Sequence, residues 1–543
     1  MAKFITAKEA AKLIPDGATI AVAGLGLSGW AEELGCAIRD NFKQTGHPCN
    51  LHLKQGSAMG DHGYGNQFLG WDRQRRDKDD VPPEGVRGTS RLGEAGEGLV
   101  TRWTGAHVMS VDALNVLAAQ GKIVGNCLPQ GVAVNLWREI AAGRPGLITK
   151  VGLGTFVDPR IEGGRMNKET QEDIAELIQF NGEEYLFYKS FPVDVALLRG
   201  TVADEKGNIS FMHEGIINEG LSVAQATHNS GGIVIVQVEY VAKAETLPPK
   251  DVKIPGILVD YVVQATDPMA CWQTEGLYWE PSFSGQIRKP VQDIPPIPLD
   301  ERKVIARRCA MEVTSGGVLN LGVGISACVG NILAEENCLD CVTMTSESGM
   351  IGGIPCPLPN FGSSYNPECT MEHNATFDMI DGGGLDMTCL GLGECDEVGN
   401  VNVSKFGSRL IGPGGFIDIT NATQKVVFCG TFLGKAKYAV GDGKLTILQE
   451  GSVKKFLKAV QQITFSGKYV KPEQEILYVT ERCVFKLMDG KMTLVEIAPG
   501  MELEKDILSH MDFVPAISPD LKTMEPLLFC DTWGGLKAYL AEE

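Results

Sequence analysis

At 543 residues the chain exceeds what a single hydrophobic core ordinarily supports, so at least two large domains are expected. A composition that is 43% hydrophobic and 22% charged, with Gly 65 and Pro 27, excludes a disordered or fibrous chain and describes a globular, turn-rich one. The net charge of −19 would repel a phosphate backbone or an anionic bilayer, which argues against nucleic acid and membrane surfaces as partners.

From the start, Met1 to Ile14 interleaves apolar residues with Lys3, Lys8, Glu9 and Lys12 and does not read as a signal peptide. The most apolar windows, such as Ile233 to Val238, are far shorter than the roughly 20 residues a membrane helix needs. A cytoplasmic protein is the expectation. The Cys 15 lack the dense spacing of a secreted disulfide framework, so reduced thiols are expected. Cys338 and Cys341 have C-x-x-C spacing without a second ligand pair, which favours small buried side chains over a metal site.

The first strong element is Ala18 to Ala23, a strand running into Gly24-Leu25-Gly26. With Gly29 the glycines satisfy a dinucleotide spacing, but Asp40 is too close to be the acidic ribose ligand expected about 20 residues on. Substrate-lining turns are the better reading. Gly60 to Glu97 follows, rich in glycine and charge, and is either a solvated loop or a lid. Further on come Asp204-Glu205-Lys206-Gly207-Asn208-Ile209 and then Ala226-Thr227-His228 ahead of an apolar strand. The segment Pro281 to Asp300 carries five prolines' worth of breaks (Pro281, Pro290, Pro295, Pro296, Pro298) and reads as an extended linker.

Beyond the linker the same three features return in the same order: Val318 to Leu321 into Gly322-Val323-Gly324, Asp396-Glu397-Val398-Gly399-Asn400-Val401, and Ala422-Thr423-Gln424 before Val426 to Phe428. Gly and Asn tolerate the positive φ of a hairpin turn, so the Asp-Glu-x-Gly-Asn element is assigned a structural task. Val453, Phe456, Leu457 and Val460 are spaced for one face of a helix. Strands alternating with helices imply α/β structure. The expected fold is two homologous open α/β domains with largely parallel sheets, 1–280 and 301–543, joined by a linker at 281–300, with the active site between them.

Val342 to Thr345 reads as a strand ending in the small-residue turn Ser346-Glu347-Ser348-Gly349, followed by Gly352-Gly353 and Pro355. Ligands of α/β sheets gather at the carboxyl ends of strands, which is where Glu347 would stand. Taken alone, a glutamate in such a turn is more often an exposed loop residue.

Ser346-Glu347-Ser348-Gly349 with Ile351-Gly352-Gly353 resembles the glutamate signature of the family I CoA-transferases. Nearly end to end, the chain resembles the fused acetate/propionate branch, through Pro129-Gln130-Gly131, Thr155 to Arg160 with Gly163-Gly164, Glu184 to Lys189, and Lys405-Phe406 ahead of Gly412-Pro413-Gly414-Gly415-Phe416. The charged stretch within 60–97 departs from that pattern. The resemblance implies exchange of CoA between short acids (acetate, propionate, lactate or butyrate), with Glu347 forming a glutamyl-CoA thioester by ping-pong kinetics. It also implies Gln130, Asn320, Gly414 and Gly415 as oxyanion or substrate ligands, and Gly322, Gly324 and Lys405 as CoA contacts. Without it, Gln130 reads as a loop glutamine, Asn320 as a strand-end hydrogen bond and the glycines as a turn. No metal or organic cofactor is required; CoA and small carboxylic acids are the partners, and a homodimer or homotetramer is implied. Rival readings are an acyl-CoA hydrolase on the same scaffold and a non-catalytic sensor of acyl-CoA or sugar phosphate.

Overall fold

The computed structural model describes residues 2–57, 59–60, 88–290 and 296–542. The charged stretch expected within 60–97 therefore lies mostly outside the described residues, as does the middle of the linker, 291–295.

Two large sheets organise the chain. In the first, the strands run side by side in the order Lys3–Phe4, Tyr261–Gln264, Ile233–Ala242, Val195–Asp204, Thr19–Val22, Leu51–Gln55, Val100–Gly105, Val124–Cys127. Every neighbouring pair along that path is parallel. The strand Val195–Asp204 is buried at every position, as a strand covered on both faces must be. Apolar residues from opposite faces of this sheet form separate cores, one around Trp30, Trp103 and Leu53, the other around Trp137, Val223 and Val236.

The second sheet repeats the arrangement. Its parallel centre is ordered Glu475–Val479, Lys425–Cys429, Met387–Gly391, Val318–Leu321, Thr343–Thr345. The spatial order matches Tyr261, Ile233, Val195, Thr19 and Leu51 of the first, strand for strand. Antiparallel strands extend both edges.

The repeated Asp-Glu-x-Gly-Asn elements are the same turn. In the first, Asp204 Oδ1 accepts from the amides of Lys206 and Asn208, both at 2.9 Å, and its Oδ2 accepts from Asn208 Nδ2 at 3.0 Å. In the second, Asp396 accepts from Val398 N at 3.2 Å and from Asn400 N and Nδ2, both at 3.0 Å. Gly207 and Gly399 hold φ of 85° and 81°, a region a Cβ disfavours. Likewise Thr227 and Thr423 each return their hydroxyl to the carbonyl four residues back, Val223 and Ile419.

One local expectation fails. Val453, Phe456, Leu457 and Val460 form no helix: Val453–Lys454 and Phe456–Leu457 are short strands. Phe456 is drawn inward to pair beside Cys395 and packs against Phe432 and Phe485, at ring separations of 4.9 and 5.0 Å, while Val453 stays exposed. Tertiary packing of the aromatic overrides the helical spacing.

No described helix is long and apolar enough to cross a membrane.

Candidate active site

The carboxyl ends of both sheets face one another across a cavity of about 220 Å³. Leu25, Gly26, Ser57, His107, Met109 and Gln130 line it from the first half, and Gly322, Glu347, Phe361, Leu390 and the 411–416 loop from the second. Backbone bonds weld the halves at this point. Val108 N donates to Ile411 O at 2.8 Å, Gly414 N to Ala106 O at 3.1 Å, and Gln130 N to Gly414 O at 2.9 Å.

Glu347 follows the strand Thr343–Thr345 directly, in a turn closed by the Gly349 amide donating to Ser346 O at 3.0 Å. The side chain is buried, 8% exposed, and not the solvated loop residue that its local sequence suggests. Its Oε2 finds no hydrogen-bond partner among the described residues. Burial pushes the Glu347 carboxyl above its ordinary range; its own backbone amide, His373, Ser346 and Asn320 act in the opposite direction. A carboxylate short of hydrogen bonds in a mostly apolar cavity is a stronger nucleophile than a hydrated one, because less solvation is lost when it attacks.

Gln130 begins the helix Gln130–Ala141 at the cavity wall. Its Nε2 lies 2.8 Å from His373 Nε2, and His373 Nδ1 lies 2.8 Å from Glu219 Oε2. Both His373 and Glu219 are wholly buried. The carboxylate places the imidazole proton on Nδ1, so Nε2 accepts from the Gln130 amide. One Gln130 N–H remains for the cavity, and its Oε1 accepts from Ser57 Oγ at 3.4 Å. Glu219 and His373 were not legible in sequence; each lies in a segment, Ile217-Asn218-Glu219 and Glu372-His373-Asn374, with no motif to mark it.

Asn320 sits inside the strand Val318–Leu321, fully buried. Its Oδ1 accepts from Thr388 Oγ1 at 3.1 Å, a side-chain partner where a backbone one was the alternative, while Nδ2 has no partner among the described residues. It is close enough to Glu347 to lower that carboxyl, though it does not itself line the cavity.

The other expected contacts stand at different distances from the cavity. Gly414 lines the cavity, and at φ 53° its N–H donates to Ala106 O at 3.1 Å. Gly415 keeps its place in the wall. Neither Gly324 nor Lys405 lines the cavity. Gly324 follows Val323, which does line it, and Lys405 lies in a small hairpin with Arg409–Leu410. Gly322 does line it. Leu25 and Gly26, from the first glycine run, also line it, while the Gly24 amide donates to Glu219 Oε1 at 3.4 Å. The glycine run thus belongs to this cavity. Cys338 packs in the apolar core of the second half.

The coenzyme A transferase family matches residues 97–265. The chain is 62% identical over its whole length, and the whole length of the relative, to caffeate CoA-transferase of Acetobacterium woodii. It is 41% identical to the acetate CoA-transferase YdiF of Escherichia coli K12, over 97% of this chain and 95% of that one. The crystal structure of the YdiF apoenzyme from E. coli O157:H7 superposes with a TM-score of 0.88 at 40% identity, over 98% of this chain and 97% of that one. A second crystal structure of that enzyme, a thioester complex with CoA, gives 0.86. The chain belongs to the family I coenzyme A transferases, and it is a CoA-transferase.

Proposed function

We propose that the enzyme exchanges CoA between carboxylic acids by way of a glutamyl-CoA thioester at Glu347. The observation that carries this reading is the burial of Glu347 in a cavity built by both halves, with one of its oxygens lacking a hydrogen-bond partner.

In the first step a Glu347 carboxylate oxygen attacks the acyl-CoA carbonyl; the C–S bond breaks, CoA leaves as thiolate, and an acyl-glutamyl anhydride forms. The thiolate then attacks the glutamyl carbonyl of that anhydride. The donor acid leaves as its carboxylate, and CoA is joined to Glu347. A second carboxylate reverses the sequence. No net proton or electron is transferred, and no metal or organic cofactor is called upon. Each tetrahedral intermediate carries an oxyanion, for which the free Gln130 N–H and the Gly415 amide are the donors, while Asn320 acts on the Glu347 carboxyl from behind the cavity wall; one such donor typically contributes about 3 kcal/mol.

For the acid, the 62% identity to a caffeate CoA-transferase and the apolar wall of Leu25, Met109, Phe361, Leu390 and Phe416 favour an aromatic acrylate of the caffeate kind. Acetate and propionate are the second reading, supported by the 41% identity to an acetate CoA-transferase. The enzyme is read as a cytoplasmic homodimer or homotetramer. Initial rates with a panel of acids against acetyl-CoA test the reading. Parallel double-reciprocal lines, with caffeate giving the highest kcat/KM, are the expected result. Loss of acyl-CoA that is independent of any added acid would instead identify a hydrolase.

A further inference from the structure

A cavity of about 760 Å³ shares no residue with the lining of the Glu347 site. It lies against one face of the first sheet, between the strands Leu51–Gln55, Val100–Gly105 and Val124–Cys127, the helix Gln130–Ala141, and the strand Glu183–Lys189 of a small antiparallel sheet.

Its charges are nearly all matched. Glu172 is paired with Arg102 at 2.6 Å, Asp173 with Arg165 at 2.5 Å and Glu176 with Lys189 at 2.5 Å. Lys54 is the exception. It is only 9% exposed, yet no carboxylate lies within ion-pair distance of its Nζ among the described residues. Its partners are Thr104 Oγ1 at 3.0 Å and the Phe191 ring, whose centroid is 4.4 Å away. Neither supplies a formal negative charge, and a cation–π contact offsets little of the cost of burying an ammonium. Burial, with Arg102 nearby, pushes the Lys54 pKa down to about 7, Glu172 opposing. His52, on the same strand, is held neutral, its pKa lowered to about 3 by burial and by Lys54 and Arg102.

The surrounding wall is apolar and aromatic: Leu128, Leu136, Trp137, Leu177 and Phe187. One unmatched buried cation beside such a wall suits a single negative charge on an apolar body. A phosphate or nucleotide would bring two or more charges toward Glu172, Asp173 and Glu176, which already have their counterions. We propose that this cavity is a second ligand site, which binds an amphipathic monocarboxylic acid with its carboxylate on Lys54 and its apolar body along Leu136, Trp137 and Phe187.

The test uses the full chain saturated with CoA, so that the Glu347 site is occupied, and 3-phenylpropanoate as the probe in equilibrium dialysis. The expected result is one equivalent bound per chain, weakened about tenfold or more in Lys54→Met and in Lys54→Gln, with kcat/KM for CoA transfer within about twofold of the parent. The glutamine variant keeps a hydrogen-bonding group beside Thr104 should the methionine one fail to fold. Calorimetry of the unaltered protein at pH 8 gives a further readout. A carboxylate on Lys54 restores the ammonium, so binding takes up a proton there, and His52 and the paired acids supply none of it. Binding of the probe to the CoA-free chain but not to the CoA-saturated one would assign the cavity to the CoA site. That outcome, binding that persists in both variants, or binding without proton uptake would each overturn the proposal.

Discussion

Gln130 and His373 meet at 2.8 Å, nitrogen to nitrogen, across the junction of the two halves, and Glu219 backs the histidine at the same distance. The contact does two things. It fixes which way the Gln130 amide faces, and it ties the helix that starts at Gln130 to the helix that starts at His373.

Removing the middle of this chain leaves Glu219 buried beside an empty space. His373→Ala is therefore expected to destabilise the fold by about 3–5 kcal/mol, the usual effect of stranding one partner of a buried pair. Chemical denaturation measures it. Gln130→Ala leaves the His373–Glu219 pair intact, so its expected effect is on catalysis: a fall in kcat of about 10²–10³ with a much smaller change in melting temperature.

Burial raises the Glu347 carboxyl, and the attacking form is the ionised one. The rate of CoA transfer should then fall as pH is lowered through that raised pKa, at a higher pH than an ordinary glutamate with its value of about 4.3 would give. Stability runs the other way. Between the unfolded and the folded pKa the folded state holds more protons, so it loses stability as pH rises through that window. Glu347→Gln should melt at a higher temperature than the parent at neutral pH, with the difference vanishing below about pH 4 where both side chains are neutral. Thermal melts across pH check the sign.

Arg199 and Glu214 form a buried pair, Nη2 to Oε2 at 2.6 Å, and Arg199 Nη1 also donates to Leu27 O and Trp30 O. The pair thereby pins the loop carrying Leu25 and Gly26 to the cavity. Arg199→Ala is expected to cost about 3–5 kcal/mol and to raise KM for acyl-CoA more than it lowers kcat, because the loop lines the cavity and does no chemistry.

A Cβ at Gly131 would stand 2.5 Å from the Phe377 ring and 2.6 Å from Asp418 Oδ1, both buried. Gly131→Ala should lose about 1–3 kcal/mol through overpacking. Displacement of the neighbouring Gln130 should lower kcat as well; an unchanged kcat would show that the helix start tolerates the shift.

The repeat was legible because its marks are local. Asp204 with Asn208 and Asp396 with Asn400 close their turns within five residues, so matching strings report matching structure. Glu347 was legible through its Ser/Gly turn and the family resemblance, yet its burial was not: that depends on Leu25, Gln130 and Gly415, drawn from far along the chain. His373 and Glu219 were invisible for the same reason, since their pairing spans 154 residues. The misread segment at Val453 to Val460 shows the converse. A spacing of three and four residues fits a helix face, but Phe456 found its ring partners on other strands.

The central claim is tested most directly by mass spectrometry of the peptide containing Glu347 after mixing the enzyme with acyl-CoA and no acceptor acid. CoA attached to Glu347, released by hydroxylamine and absent from Glu347→Ala, is the predicted result. Turnover by Glu347→Ala, or an adduct on any other residue, would contradict it.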